Sequence, residues 1–319
     1  MSTSHYKYTY SKEKPLVSVV IPTWNRAHLI MRAANSVLSQ TYKNLELIIV
    51  DDMSTDNTKE VLSKLHDPRL RYIRLNYKKT DTSYGAARAR NAGINASKGS
   101  FIAFQDSDDK WLPTKLEKQM NAFQNADTTT GLVYTTLLRK TGSKEAYIPP
   151  QNVRHKEGDM RQALLNTNII SLVTAVVRKE CLERVGLFDE AMPKYQEWEL
   201  WLRLTEKYQV KYVNEPLVVS YAQANSISSN SISKITALER LVSKHYDKFA
   251  QSKPALANKY FELGKAICSL EPEEFAKGRN YLAKAFSLTP FNCKIVAFLM
   301  FAIAGNKVFT CVRTLFKHR

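Results

Sequence analysis

No stretch of the 319 residues holds the roughly 18 to 20 consecutive apolar residues that a membrane-spanning helix needs. The nearest, "IVAFLMFAIAG" from Ile295 to Gly305, is too short alone. Cysteine is scarce. The four present (Cys181, Cys268, Cys293 and Cys311) show neither a CxxC pair nor zinc-like spacing, which excludes the usual metal ribbons. With no signal-peptide pattern at the start, the expectation is a reducing cytoplasm. No GxGxxG or Walker loop occurs, so a nucleotide would have no glycine-rich loop to rest in. An aromatic-basic RNP pattern, zinc-finger spacing and a basic zipper are also missing. Nucleic acid is therefore not an expected partner, although the formal net charge is +17. That excess of cations fits an anionic membrane surface or a phosphate-rich substrate instead.

What is present alternates. "LVSVVIP" is a β-branched run stopped by proline and reads as a buried strand, and "AHLIMRAANSVLSQ" follows with helical spacing. "LELIIVDD" is a second strand, "STDNTKEVLSKL" a helix with Ser, Thr and Asp available to cap it, and "LRYIRL" a third strand. An alanine-rich helix, "GAARARNAGINAS", leads to a fourth strand, "GSFIAFQD". Such alternation predicts an α/β fold, a mostly parallel central sheet with helices on both faces. In such sheets ligands bind beyond the carboxyl ends of the strands. Three strands end in polar chemistry: Pro22-Thr23-Trp24-Asn25, Asp51-Asp52, and Asp106-Ser107-Asp108-Asp109. Parallel strands would bring all three clusters to one edge. Three carboxylates within four positions repel one another, so a cation is expected there; the bland alternative is an acidic turn capping the next helix.

The ordered set "VSVVIPTWNR", "LELIIVDDMSTDNT", "ARNAGINASKGSFIAFQDSDDKW" and "GLFDEAMPKYQEWELWLRL" resembles family 2 glycosyltransferases of the GT-A fold, over roughly residues 15 to 225. The resemblance implies a Rossmann-like sheet, a nucleotide-diphosphate sugar donor, Mn²⁺ or Mg²⁺, and inversion at the anomeric carbon. It makes Asp106-Ser107-Asp108 the Asp-x-Asp element, with Asp108 the metal ligand, Asp106 towards the ribose or the metal shell, and Asp109 a further ligand candidate. Asp52 matches the residue that accepts the uracil N3 hydrogen, with Asp51 as a holder of the loop. Pro22 and Trp24 match the wall against which the base lies, and Thr23 and Asn25 flank them; core packing is the alternative for Trp24. Arg90 is placed near the donor phosphates or, alternatively, on a solvated helix face.

Inverting transfer needs one general base. Relatives place it in a Glu-Asp pair before "WDLWLRL", where this chain has "QEWELWLRL". Gln196 stands at the Glu position and Glu197 at the Asp position, so Glu197 is the candidate base. Glu199 is held in reserve, with an i+4 pairing to Arg203 as its alternative role. Asp189 and Glu190 line the acceptor side or cap the helix entry. The change at Gln196 also motivates a second expectation, a catalytically degenerate relative; a sugar nucleotidyltransferase is disfavoured by the missing glycine-rich loop.

The expected organisation is a lead-in over 1–14, a catalytic domain over 15–228 and a helical region over 229–319. The catalytic domain divides into a nucleotide-sugar half, 15–112, and an acceptor half, 113–228. From Phe275 onward there are eight Lys or Arg residues and no Asp or Glu, interleaved with apolar runs. That pattern suits helices lying on an anionic membrane. It fits a peripheral enzyme on the inner face of the cytoplasmic membrane, acting on a glycan or lipid-linked glycan of lipopolysaccharide, O-antigen or capsule. The competing expectation is an apolar face packed on the catalytic domain or on a second subunit of a homodimer.

Overall fold

The computed structural model describes residues 14–77, 85–221, 231–270, 273–306 and 308–309. The chain forms two compact units, Met1–Ala191 with Gln196–Ala224, and Met192–Tyr195 with Asn225–Arg319.

The first unit is built on one sheet. Strand β1 (Val17–Thr23), helix α1 (Ala27–Leu38), β2 (Leu45–Asp51), α2 (Thr58–Leu62), β3 (Leu70–Arg74), α3 (Gly85–Ala96) and β4 (Phe101–Phe104) come first. They are followed by β5 (Lys110–Trp111), α4 (Lys115–Gln124), β6 (Thr130–Thr141), β7 (Lys144–Ile148), α5 (Arg161–Asn166) and a 3₁₀ turn at Leu172–Thr174. Strand β8 (Val176–Arg178), α6 (Lys179–Val185), α7 (Gln196–Leu204) and β9 (Gln209–Tyr221) complete it. The strand order is β3-β2-β1-β4-β8-β6-β9-β5, with β7 paired to β6. Strands β1, β2, β3 and β4 are mutually parallel, as are β6 and β9, while β5, β7 and β8 run against their neighbours. Residues 15–112 and 113–221 thus contribute to a single, mostly parallel sheet.

Every residue of β2 and all but Pro22 of β1 are buried, as expected for strands covered on both faces. On one face Val17, Val19 and Ile21 pack with Ile30, Ala33 and Val37 of α1 and Leu116, Met120 and Phe123 of α4. The opposite face carries α3: a Cβ on Gly93 would fall 2.4 Å from Val20 Cγ1, so glycine there permits close packing of helix on strand. Near the start of β2, the buried Glu46 accepts hydrogen bonds from Ser18 Oγ at 2.6 Å, Lys98 N at 2.6 Å and Arg71 Nη1 at 3.2 Å.

Register sets the site. Thr23 lies opposite Asp51, and Val20 opposite Phe104, so the carboxyl ends of β1, β2 and β4 share one edge. The helix expected over "STDNTKEVLSKL" shrinks to the five residues of α2. Its polar residues bind across to the loop after β1 instead. Asn25 N donates to Ser54 Oγ at 2.9 Å and Ala27 N to Asp56 Oδ2 at 3.1 Å, while Thr55 N donates to Asn25 Oδ1 at 2.7 Å.

The second unit contains α8 (Ser231–Lys244), α9 (Tyr246–Ala250), α10 (Lys253–Leu270), α11 (Phe275–Leu288) and α12 (Cys293–Ile303). Helices α10 and α11 approach through glycines: a Cβ on Gly264 would lie 2.7 Å from Leu282 Cγ and 2.8 Å from Gly278 O. Ala257, Phe261, Cys268, Leu282, Ala285, Ile295, Ala302 and Phe309 form its core. Met300 and Ile303 of α12 are exposed, as is Phe291 ahead of it. No helix among the described residues is long and apolar enough to cross a membrane. The lead-in through residue 13 and the basic residues Lys307, Arg313, Lys317 and Arg319 lie outside the described residues.

Candidate active site

The loop after β1 carries Trp24, which is 45% exposed, so core packing does not account for it. Pro22 and Thr23 are the last residues of β1, and Thr23 Oγ1 is buried without a hydrogen-bond partner among the described residues. Asn25 adopts a left-handed backbone (φ 52°), and its side-chain oxygen holds Thr55 N. Its visible work is bracing the loop that presents Trp24.

The two carboxylates closing β2 have different surroundings. Asp51 is fully buried and accepts from Ser54 N at 2.8 Å, Tyr72 Oη at 2.5 Å and Arg74 Nη1 at 3.4 Å. Asp52 is also buried, just past the end of β2, its backbone N–H donating to Thr23 O at 2.8 Å and its Oδ1 accepting from the Tyr77 hydroxyl. A Cβ on Gly85 would fall 1.7 Å from Asp52 Oδ2, so the first residue of α3 must be glycine for Asp52 to sit there. Burial and the neighbouring Asp52 carboxylate push the Tyr77 hydroxyl up to about 12. The Arg88 guanidinium lies 4.2 Å from the Tyr77 ring centroid and pairs with Glu190 at 3.0 Å. Tyr77 and Arg88 carry no motif of their own, so only the fold identifies them as neighbours of Asp52.

The turn between β4 and β5 holds the acidic cluster. Ser107 and Asp109 are buried, Asp108 is half-buried, and the Asp106 side chain is 36% exposed. Burial and repulsion from Asp106 raise the Asp108 carboxyl above the ordinary aspartate range. The same two causes raise Asp109 well above it, opposed by a hydrogen bond from Ser220. Arg32 Nη2 donates to the Asp108 carbonyl, and its guanidinium stacks 4.7 Å from the Tyr221 ring centroid. Half-buried carboxylates that repel each other are what a cation would stabilise, and an all-oxygen donor set suits a hard divalent ion. Among the described residues no three His, Cys, Asp or Glu side chains converge as a protein-only cage. The set therefore fits an ion completed by water and substrate oxygens.

Arg90 is buried, and it connects two of the clusters. Its Nη2 donates to Asp106 Oδ1 at 2.9 Å and its Nη1 to Gln196 Oε1 at 2.9 Å. A solvated helix face does not describe it. Helix α7 enters the site at Gln196 and Glu197. Its tryptophans anchor it: Trp198 Nε1 donates to Leu164 O at 2.7 Å and Trp201 Nε1 to Ile170 O at 3.0 Å. Glu197 is half-buried and its carboxyl is raised by burial, with Asp106 adding and its own backbone N–H, Arg90 and Asn168 opposing. Glu197 follows directly on Gln196, which Arg90 ties to Asp106. Glu199 points elsewhere: it is fully buried and paired with Arg203 at 2.7 Å. Arg203 also donates to Gly186 O and Leu187 O, both at 2.7 Å. Glu190 accepts from Asn91 Nδ2 at 3.0 Å, and Asp189 Oδ1 from Ala191 N at 3.0 Å.

Residues 18–186 match the family described as glycosyl transferase family 2. Among similar curated proteins is the Escherichia coli UDP-Glc:alpha-D-GlcNAc-diphosphoundecaprenol beta-1,3-glucosyltransferase WfaP, 32% identical over 69% of this chain and 82% of that protein. Among solved structures, S. aureus TarS 1–349 in complex with UDP-GlcNAc aligns with TM-score 0.66 at 18% identity, over 95% of this chain and 91% of that one. The mannosyltransferase PcManGT from Pyrobaculum calidifontis, in complex with GDP-Man and Mn²⁺, aligns with TM-score 0.56 at 18% identity, over 97% and 89% respectively.

Proposed function

The chain belongs to glycosyl transferase family 2, and from that premise we propose an inverting, metal-assisted transfer from a UDP-sugar to a lipid-linked saccharide in bacterial cell-surface glycan synthesis. The observation that carries this reading is the gathering of Asp52, the Asp106–Asp109 turn and the head of α7 at the carboxyl edge of the sheet, with Arg90 joining Asp106 to Gln196, the residue before Glu197. The UDP donor is supported by Asp52 bonding through its backbone N–H to Thr23, the residue before exposed Trp24, and by WfaP, a relative named for UDP-Glc. The diphosphoundecaprenol acceptor in the name of WfaP supports the lipid-linked class.

In this reading Trp24 and Pro22 offer a flat wall to the base, Asp52 accepts its N–H, and Asp106 faces the ribose. Asp108, with Asp106 or Asp109, would hold Mn²⁺ or Mg²⁺. Bound there, the ion supplies Lewis-acid neutralisation of charge on the departing diphosphate. Glu197 removes the proton from the acceptor hydroxyl as that oxygen attacks opposite the leaving group. Its raised carboxyl suits this: the closer a base lies to the working pH, the stronger it is while still ionised. Gln196 retains the contact to Arg90 through its amide oxygen, so the site is not dismantled by the change from Glu. The test is a donor-hydrolysis screen over UDP-, GDP- and dTDP-sugars with Mn²⁺, with and without chelator, comparing wild type and Asp108→Ala. Turnover confined to UDP-sugars and abolished by chelator or by Asp108→Ala is expected. Equal turnover without metal would overturn the reading.

The exposed Phe291, Met300 and Ile303, followed by a chain end with Lys and Arg but no Asp or Glu, support peripheral docking on the anionic inner face of the cytoplasmic membrane. Each basic residue near such a surface adds on the order of 1 kcal/mol. Co-sedimentation with anionic vesicles should be lost when residues 290–319 are removed; unchanged binding would exclude the tail as the anchor.

A further inference from the structure

Resting on Glu197 as the base, we propose that Asn168 is the residue that positions it, gripping one carboxylate oxygen so that the other faces the acceptor hydroxyl. Asn168 lies 29 positions before Glu197 and outside every motif, in the segment between α5 and the 3₁₀ turn. Its Nδ2 donates to Glu197 Oε1 at 3.0 Å. Which end of the amide faces Glu197 follows from chemistry alone. The other end receives the Ile170 backbone N–H at 3.2 Å, and an N–H can only be met by the amide oxygen. The NH₂ group must therefore face Glu197, and Oε1 must accept.

Two consequences follow. Among the described residues Asn168 is the one side chain that donates to the Glu197 carboxylate, and it takes Oε1, so Oε2 is the oxygen left to take a proton. A donor to a carboxylate also favours its ionised form, so Asn168, like the Glu197 backbone N–H, opposes the effect of burial. The remaining charged groups that influence Glu197 are Arg90 from α3, which acts in the same sense, and Asp106 from the β4–β5 turn, which acts against it. The segment bearing Asn168 is itself fixed to α7, because Trp198 and Trp201 donate to Leu164 O and Ile170 O on either side of it. The amide and the carboxylate are thus held on two elements joined at three points.

Asn168→Asp separates this role from a structural one. It preserves size and the acceptor for Ile170 N–H, while replacing the donor by a second carboxylate. The carboxyl resonance of Glu197 in ¹³C-glutamate-labelled protein, assigned by its disappearance in Glu197→Gln, is titrated in wild type, Asn168→Ala and Asn168→Asp. UDP binding and UDP release from UDP-glucose and UDP-N-acetylglucosamine with Mn²⁺ are followed alongside. The midpoint should rise in Asn168→Ala and rise further, by at least about one pH unit, in Asn168→Asp, because two adjacent carboxyls resist sharing charge. UDP affinity should change less than about twofold and UDP release at neutral pH should fall about tenfold or more, of the order of one lost charge-assisted hydrogen bond. A midpoint unmoved in both variants would overturn the proposal. A moved midpoint together with full-rate transfer by Glu197→Gln would support the contact and overturn the base role it serves.

Discussion

Arg90 Nη2 lies 2.9 Å from Asp106 Oδ1. One buried guanidinium therefore ties the acidic turn after β4 to Gln196 at the head of α7, a fork that only arginine can make. Arg90→Lys keeps the charge but cannot span both partners. It is expected to lower kcat/KM for the donor by roughly 10- to 100-fold, matching about 1.5–3 kcal/mol for a lost charged hydrogen bond. Gln196→Glu, which gives Arg90 a second carboxylate, should keep activity within a few-fold. Steady-state kinetics of the two variants check both outcomes.

Asp51 and Asp52 are adjacent in sequence and should separate in experiment. Asp51→Ala strands three donors around a buried position and is expected to cost about 3 kcal/mol, read as a lowered denaturant midpoint. Asp52→Ala strands one donor, the Tyr77 hydroxyl, so it should lower that midpoint less than Asp51→Ala while weakening UDP binding, measured by calorimetry.

Glu199 and Glu197 should divide in the same way. Glu199→Gln removes the anionic partner of Arg203 in a buried pair and should destabilise by about 3 kcal/mol or more, with the activity of the folded fraction retained. Thermal unfolding together with specific activity per folded molecule distinguishes this from a catalytic role.

Lys115 provides a pH test. It is wholly buried on α4, its Nζ donating to Gln119 Oε1 at 2.8 Å and lying 3.8 Å from the Trp111 ring centroid. Burial holds its amine well below the ordinary lysine range. The folded state then binds fewer protons than the unfolded one, so stability rises with pH through the window that ends near the unfolded value of about 10.4. Lys115→Met removes the cost of desolvating the amine. Its melting temperature should exceed that of wild type at pH 7, and the gap should narrow as pH approaches 10.

The parts of this site that were legible in the sequence are those fixed by strand geometry. A strand buried on both faces must be continuously apolar, so "LVSVVIP", "LELIIV" and "FIAF" declare themselves, and their polar ends mark the edge. Side-chain direction was not legible. Arg90 on an alanine-rich helix reads equally as surface or site, and its partners Asp106 and Gln196, both distant in sequence, decide for the site. Asn168 and Glu197 meet because α7 folds back on the segment before the 3₁₀ turn, which no local pattern encodes. Lys115 sits in "KLEKQ", a stretch that looks like an exposed helix face, yet its aliphatic stem and amine are enclosed by Trp111 and Gln119. The short α2 went unforeseen for a related reason: its capping residues found partners on the loop after β1.

The most direct measurement of the central claim pairs UDP binding with sugar transfer in Glu197→Gln. UDP affinity should stay within about twofold of wild type and transfer should fall about 10²- to 10⁴-fold, the usual contribution of a positioned base. Transfer at the wild-type rate in that variant would contradict the claim.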